Sequence, residues 1–234
     1  LHLDFQHGTD FHPNEAKTVV SGGHALWLPG VGAGRGYGDE SRLKTEVMAP
    51  PDKINRSIHL AGGHIETTGL NLGDKASVGV WFWLGHESGA SERTGTLIEA
   101  FGASLQAHQF ADHTVQLEWS GSDTAAPHTQ TIFADDWHFA VLIRDGDQLR
   151  VHLDGDENPA LTGKAGRAGA KLVYGRNLQG KLDEIVVWDH VIEPSLIAKL
   201  WKILPTAEEH ARHATAPQKK TAASQIDQGR IPKK

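Results

Sequence analysis

The 234-residue chain has no cysteine, one methionine and two tyrosines. Without cysteine it has no thiol nucleophile, no disulfide, no Cys-ligated zinc and no Cys-held iron–sulfur cluster. Long apolar runs are missing too. The densest stretch, residues 78–84, is seven residues long, against the ~20 that a membrane-crossing helix needs. Positive charge is in deficit, with 23 Lys and Arg against 29 Asp and Glu and a net charge of -6. A protein that lives by neutralising phosphates needs a basic face, so nucleic acid is excluded as the expected partner. The chain starts at Leu1 with neither methionine nor an apolar leader. The expectation is a processed or trimmed start, with a signal peptide removed, and an extracytoplasmic location, periplasmic or secreted.

What is present is glycine, at 26 positions, and tryptophan, at seven, within a chain that is 38% hydrophobic. That is enough apolar surface for a core and enough glycine for many turns. Short apolar or alternating runs between Gly and Asp turns predict strands over residues 1–5, 24–28, 57–60, 63–66, 76–84, 96–101, 104–110, 114–119, 138–144, 148–153, 170–174 and 181–188. Hairpin turns follow from Asp145-Gly146 and Asp154-Gly155. One helix is predicted over 194–204, opened by Glu193 and Pro194. Its stripe of Leu196, Leu200 and Trp201 is expected to lie against the sheet edge. The expected core contains Val78, Val80, Phe82, Val141, Ile143, Val151, Leu153, Ile185, Val187, Leu196 and Leu200. Many short strands with regular turns imply an all-β sandwich or jelly roll spanning residues 1–204.

Two segments break this pattern. Residues 30–51, with Gly32, Gly34, Gly36 and Gly38 alternating, read as a long surface loop. They lack the spacing of a nucleotide-binding glycine fingerprint, because Tyr37 stands where a glycine is required. Residues 205–234 lose all apolar periodicity and read as an extended Ala/Lys/Pro-rich tail. It holds six basic and three acidic side chains, +3, which leaves -9 on the rest of the chain. Such a composition cannot bury enough apolar surface to order itself. Lys219, Lys220, Arg230, Lys233 and Lys234 are therefore candidate partner-binding residues, expected on an acidic protein surface or within a linker.

Trp137-His138-Phe139-Ala140-Val141-Leu142-Ile143-Arg144-Asp145-Gly146 followed by Leu149-Arg150-Val151-His152-Leu153-Asp154-Gly155 resembles a hairpin of the laminin G-like jelly rolls in the concanavalin A-like lectin and glucanase superfamily. Gly180-Lys181-Leu182-Asp183-Glu184-Ile185-Val186-Val187-Trp188 and the run from Val191 to Trp201 are similar to that family's closing strand and helix. Ala76–Trp83 is similar to its core strand. The resemblance covers residues 57–202 and implies a concanavalin A-like jelly-roll sandwich with one short C-terminal helix. It also implies a structural calcium, held by Asp183 together with backbone carbonyls near residues 21–24. A hard cation of that kind takes six to eight oxygens. A plain alternative is that Asp183 only accepts backbone hydrogen bonds at a bulge.

Catalytic sets are absent. The E-x-D-x-x-E string of the family's glucanases does not occur, and the Tyr/His/Arg set of its lyases would have to use Tyr37 or Tyr174. Asp154-Gly155-Asp156-Glu157-Asn158 fails as an EF-hand loop, since its sixth and twelfth positions are Pro159 and Ala165. The fifteen histidines do not cluster with metal-site spacing, and His210, His213 and Glu209 lie in the tail. Trp81 and Trp83 share one strand face and are the candidate platform for stacking a glycan. The expectation is a non-catalytic, extracytoplasmic interaction module, an accessory or scaffolding subunit docked on a larger protein assembly. The alternative is a carbohydrate-binding lectin-like module. Calcium is the sole cofactor considered.

Overall fold

The computed structural model describes residues 2–3, 17–21, 26–29, 56–60, 62–85, 92–121, 129–134, 137–166, 169 and 171–203. The strands in chain order are β1 His2–Leu3, β2 Lys17–Ser21, β3 Leu26–Pro29, β4 Arg56–His59, β5 His64–Thr68, β6 Lys75–Leu84, β7 Arg93–Ala100 and β8 Ala103–Gln109. They continue as β9 Thr114–Gly121, β10 Thr129–Phe133, β11 Trp137–Asp145, β12 Gln148–Leu153, β13 Leu161–Lys164, β14 Lys171–Tyr174 and β15 Gly180–Trp188. A single helix, α1 Pro194–Ile203, follows.

Two antiparallel sheets result. Sheet A runs β13-β12-β11-β6-β15-β4-β3, with β1 also on β15, and sheet B runs β10-β9-β8-β7-β14-β5-β2. Strands adjacent in sequence often sit in the same sheet, while β14 and β15 return to pair with β7 and β6, as in a jelly roll. The all-β sandwich with one short C-terminal helix expected from the sequence is the fold observed.

Alternation decides which side of each strand enters the core. In β8, Leu105 and Ala107 are buried while Ser104, Gln106 and His108 face outward. Central β6 is different: nine of its ten residues, Ala76 to Leu84, are buried, because both of its faces are covered. Val78, Val80, Phe82 and Leu84 enter the core between the sheets with Leu105, Leu117, Val151 and Leu182. Trp81 and Trp83 point the other way, into a second cluster on the outside of sheet A with Phe139, Val141, Ile143, Ile192 and Ile197.

Helix α1 begins where Pro194 is already set for helical φ, and Glu193 C=O accepts the amides of Leu196 and Ile197. It covers the outer face of sheet A through Ile197, Leu200 and Trp201, rather than lying at the sheet edge. This corrects one expected core residue, Leu196, which is 37% exposed, because at helical spacing Ile197 and Trp201 define the inward stripe. The sequence reading also omitted β2, β10 and β13, short and largely polar strands at sheet edges. The segments 30–51 and 205–234, and with them Lys219, Lys220, Arg230, Lys233 and Lys234, lie outside the described residues.

Candidate functional site

The residues singled out in the sequence fall on sheet A. Trp81 is 0% and Trp83 1% exposed. The Trp81 ring is stacked between Phe139, at 5.1 Å, and Trp201, at 4.8 Å with planes 9° apart. Trp83 carries the Lys181 ammonium 4.5 Å over its ring, and Trp137 lies 5.4 Å from the same nitrogen. The glycan-stacking role expected for Trp81 and Trp83 is thereby corrected. Their ring faces are taken by α1, by Phe139 and by Lys181, so a pyranose has no access to them. The strand alternation placed both indoles on one face, but only the packing of α1 shows that this face is interior.

Asp183 is fully buried at the β-bulge where the β15–β6 register shifts. Its Oδ1 accepts the amide of Glu184, 2.9 Å away, and Glu184 adopts φ +47°. A carboxylate that accepts an amide beside a left-handed residue stabilises the bulge by itself. Among the described residues no three His, Asp or Glu side chains gather into a metal cluster. The backbone carbonyls near residues 21–24 that the expected calcium site would also use lie, apart from Ser21, outside the described residues.

The outward side of sheet B is a second surface, which the sequence reading did not single out. Register places Glu66, Val173, Glu99, Ser104 and Ser120 in one row across five strands. Thr96, Gln106 and Glu118 form the next row, and Thr94, His108 and Gln116 the one beyond. Every outward residue in these rows is polar except Val173, which is 2% exposed beneath the ion pairs that cross it.

Those pairs organise the face. Arg176 Nε donates to Glu99 Oε1 at 2.6 Å, and Lys171 Nζ to Glu66 Oε2 at 2.6 Å. The lysine hydrogen bond holds the Glu66 carboxyl below its usual range, and the Glu99 carboxylate raises the Arg176 guanidinium. His108 lies between Thr94 Oγ1, 2.9 Å from Nδ1, and Glu118 Oε2, 3.1 Å from Nε2. Ser104 and Ser120 share a 2.7 Å hydrogen bond. A groove of about 600 Å³ opens here, lined by Glu99, Phe101, Ser104, Ser120 and Lys171.

The rows present hydrogen-bond donors and acceptors at fixed strand spacing. Glu66 and Glu99 are separated by the whole of β14, roughly 10 Å at the spacing of two strands. Retaining glycosidases hold their carboxyls about 5–5.5 Å apart, and a general acid must be protonated before it reacts. Both glutamates instead face cations. Tyr174, a candidate for lyase chemistry by residue type, is buried between the sheets, where desolvation pushes its hydroxyl far above the ordinary phenol range.

A family profile described as the concanavalin A-like lectin/glucanases superfamily, of laminin G type, matches residues 60–198. The chain belongs to this superfamily. Among solved structures, this concanavalin A-like domain aligns with the receptor-binding domain of botulinum neurotoxin D over 80% of its own length and 47% of that chain. The identity is 12% and the TM-score 0.51. The native heptameric SAP-like pentraxin from Limulus polyphemus aligns over 59% of this chain and 75% of its own, with 15% identity and a TM-score of 0.44. The domain thus spans less than half the length of the neurotoxin domain, and at such identities the likeness concerns the fold. No curated protein matches the chain in sequence. No helix among the described residues is long and apolar enough to cross a membrane.

Proposed function

We propose that this concanavalin A-like domain is a non-catalytic recognition module working outside the cytoplasm, with the polar face of sheet B as its ligand surface and a glycan as its ligand. The observation that carries this reading is the grid of outward Ser, Thr, Gln, Glu and His side chains around the groove at Glu99, Ser104, Ser120 and Lys171. Hydroxyls, amides and carboxylates at fixed strand spacing match the alternating donors and acceptors of a polyhydroxylated chain. Their positions are set by a rigid sheet and by ion pairs, so little ordering entropy is lost on binding. A glycan array probed with and without calcium tests this. Binding should appear and be lost in the double variant Ser104→Trp/Ser120→Trp, which fills the groove. An array at background under both conditions overturns it.

A second reading, an accessory or scaffolding subunit docked on a larger assembly, is favoured by the charge division of the chain, +3 on residues 205–234 against -9 on the rest. In that reading Lys219, Lys220, Arg230, Lys233 and Lys234 bind an acidic partner surface. Deleting residues 205–234 should then abolish co-purification with the assembly while leaving the melting temperature of the sandwich unchanged.

A further inference from the structure

Beyond the groove at Glu99, Ser104, Ser120 and Lys171, the edge of sheet B carries a second feature. β10 is the last strand of its sheet, and Phe133 at its end is 67% exposed, the most of any large apolar side chain among the described residues. Beside it lies a groove of about 680 Å³, walled by β10 on one side and by the 153–160 turn on the other, with Asp154, Asp156, Asn158 and Pro159 facing Gln130 and Phe133. Among the described residues its charged lining is acidic: Asp154 and Asp156 belong to it, and no lysine or arginine does.

The walls are held in place by their own hydrogen bonds. Asp154 Oδ1 accepts the Phe139 amide at 2.9 Å and Oδ2 faces His138 Nδ1 at 2.8 Å. His138 Nε2 donates to Phe133 C=O at 2.9 Å, which ties the turn to the end of β10. Asp156 Oδ1 accepts both the backbone amide and the side-chain amide of Asn158, and the pair keeps its carboxyl below the usual range. Asp156 is thus an ionised, exposed acid in a fixed position, lining the same groove as an exposed aromatic ring.

The same bonds say how an occupant would be held. The outward carbonyl of Phe133 is already taken by His138, and that of Thr131 receives the Gln130 side-chain amide at 3.4 Å. A peptide adding here as a further strand would compete with these bonds for two of the acceptors it needs. Recognition falls to side chains: a cation for Asp156, and an apolar or cationic group for the Phe133 ring.

We infer that this groove is a docking site for a lysine- or arginine-bearing extended segment of a partner protein, with Phe133 as the apolar anchor and Asp156 as the charge contact. An acidic segment is repelled by the same lining, and a neutral one gains nothing from Asp156. Its lining shares no residue with the groove of Glu99, Ser104, Ser120 and Lys171, so the two can be altered separately.

The test uses the full chain and a fluorescein-labelled peptide of about eight residues alternating lysine and valine, with an alternating glutamate and valine peptide as its twin. Fluorescence anisotropy should show binding of the lysine peptide alone. That binding should weaken about tenfold in Phe133→Ala and several-fold in Asp156→Asn, and should fall steeply in ~0.5 M salt. Phe133→Tyr, which keeps the ring, should bind like the parent. Both altered side chains are exposed, and an unchanged melting temperature certifies the fold of each variant. Absence of binding to the parent chain, equal binding of the two peptides, or indifference to both Phe133→Ala and Asp156→Asn would each overturn the inference. Ser104→Trp/Ser120→Trp should leave peptide binding intact, which separates failure here from failure of the glycan reading.

Discussion

His138 and Asp154 tie the end of the β11–β12 pair in sheet A to the end of β10 in sheet B: His138 Nδ1 lies 2.8 Å from Asp154 Oδ2, on a histidine whose other nitrogen bonds the carbonyl of Phe133. Asp154 sits at φ +51°, a left-handed conformation that Asn and Asp tolerate better than other side chains. Asp154→Asn therefore keeps the backbone and a carbonyl acceptor for Phe139 but removes the charged partner of His138. It should cost about 1–2 kcal/mol in urea unfolding. Asp154→Val, a β-branched residue at the same φ, should cost more.

Gly155 adds steric necessity to the same turn. It adopts φ +79°, and a Cβ there would stand 2.7 Å from Trp201 Cβ and 2.8 Å from its Cγ. Trp201 is in turn stacked on Trp81, so it cannot move aside without unpacking α1 from sheet A. Gly155→Ala should lose about 2–4 kcal/mol from backbone strain and overpacking together. For a domain of this size that lowers the melting temperature by roughly 2–4 °C per kcal/mol.

Asp183 separates two expectations cleanly. As the acceptor for the Glu184 amide in a buried bulge, it should make Asp183→Asn cost about 1–3 kcal/mol whether or not a chelator is present. If calcium were held by this carboxylate, EDTA would lower the melting temperature of the parent chain, and Asp183→Asn would abolish that response. Calorimetry on both proteins, with calcium and with EDTA, reads the difference directly.

His152 makes stability depend on pH in the opposite sense to a paired histidine. It is 1% exposed, with Nδ1 3.1 Å from Asp156 C=O, and desolvation by burial lowers its pKa below the ordinary histidine value. The unfolded chain then binds a proton that the folded one refuses. Stability contributed by the neutral ring is complete above about pH 6.5 and declines as pH falls from there toward the lowered folded value, at a slope of at most about 1.4 kcal/mol per pH unit. Urea midpoints at pH 7.5 and 5.5 should differ more in the parent than in His152→Gln.

Much of this fold is legible in the sequence. The hairpin around Asp145-Gly146 joins β11 to β12 as the turn chemistry requires, with Gly146 at φ +67°. The alternation in β6 separated Val80 and Phe82 from Trp81 and Trp83 correctly. Less of the polar face of sheet B was legible. Ser104, Gln106 and His108 announce a polar strand face, but the row Glu66, Val173, Glu99, Ser104 and Ser120 draws on five strands far apart in sequence.

Local patterning determined strand, turn and helix here, because side-chain direction along a strand follows from a two-residue period and needs no distant partner. What the period cannot say is what lies opposite each face. Trp81 and Trp83 occupy a strand face that could have met a sugar and instead meets Trp201, Phe139 and Lys181, because α1 folds back over sheet A. The order of strands within sheet B likewise decided which polar residues share a groove, through pairings between segments dozens of residues apart. Burial and proximity are set by tertiary packing, where a side chain's neighbours come from remote parts of the chain, and that is why the fold was readable in the sequence while the site was not.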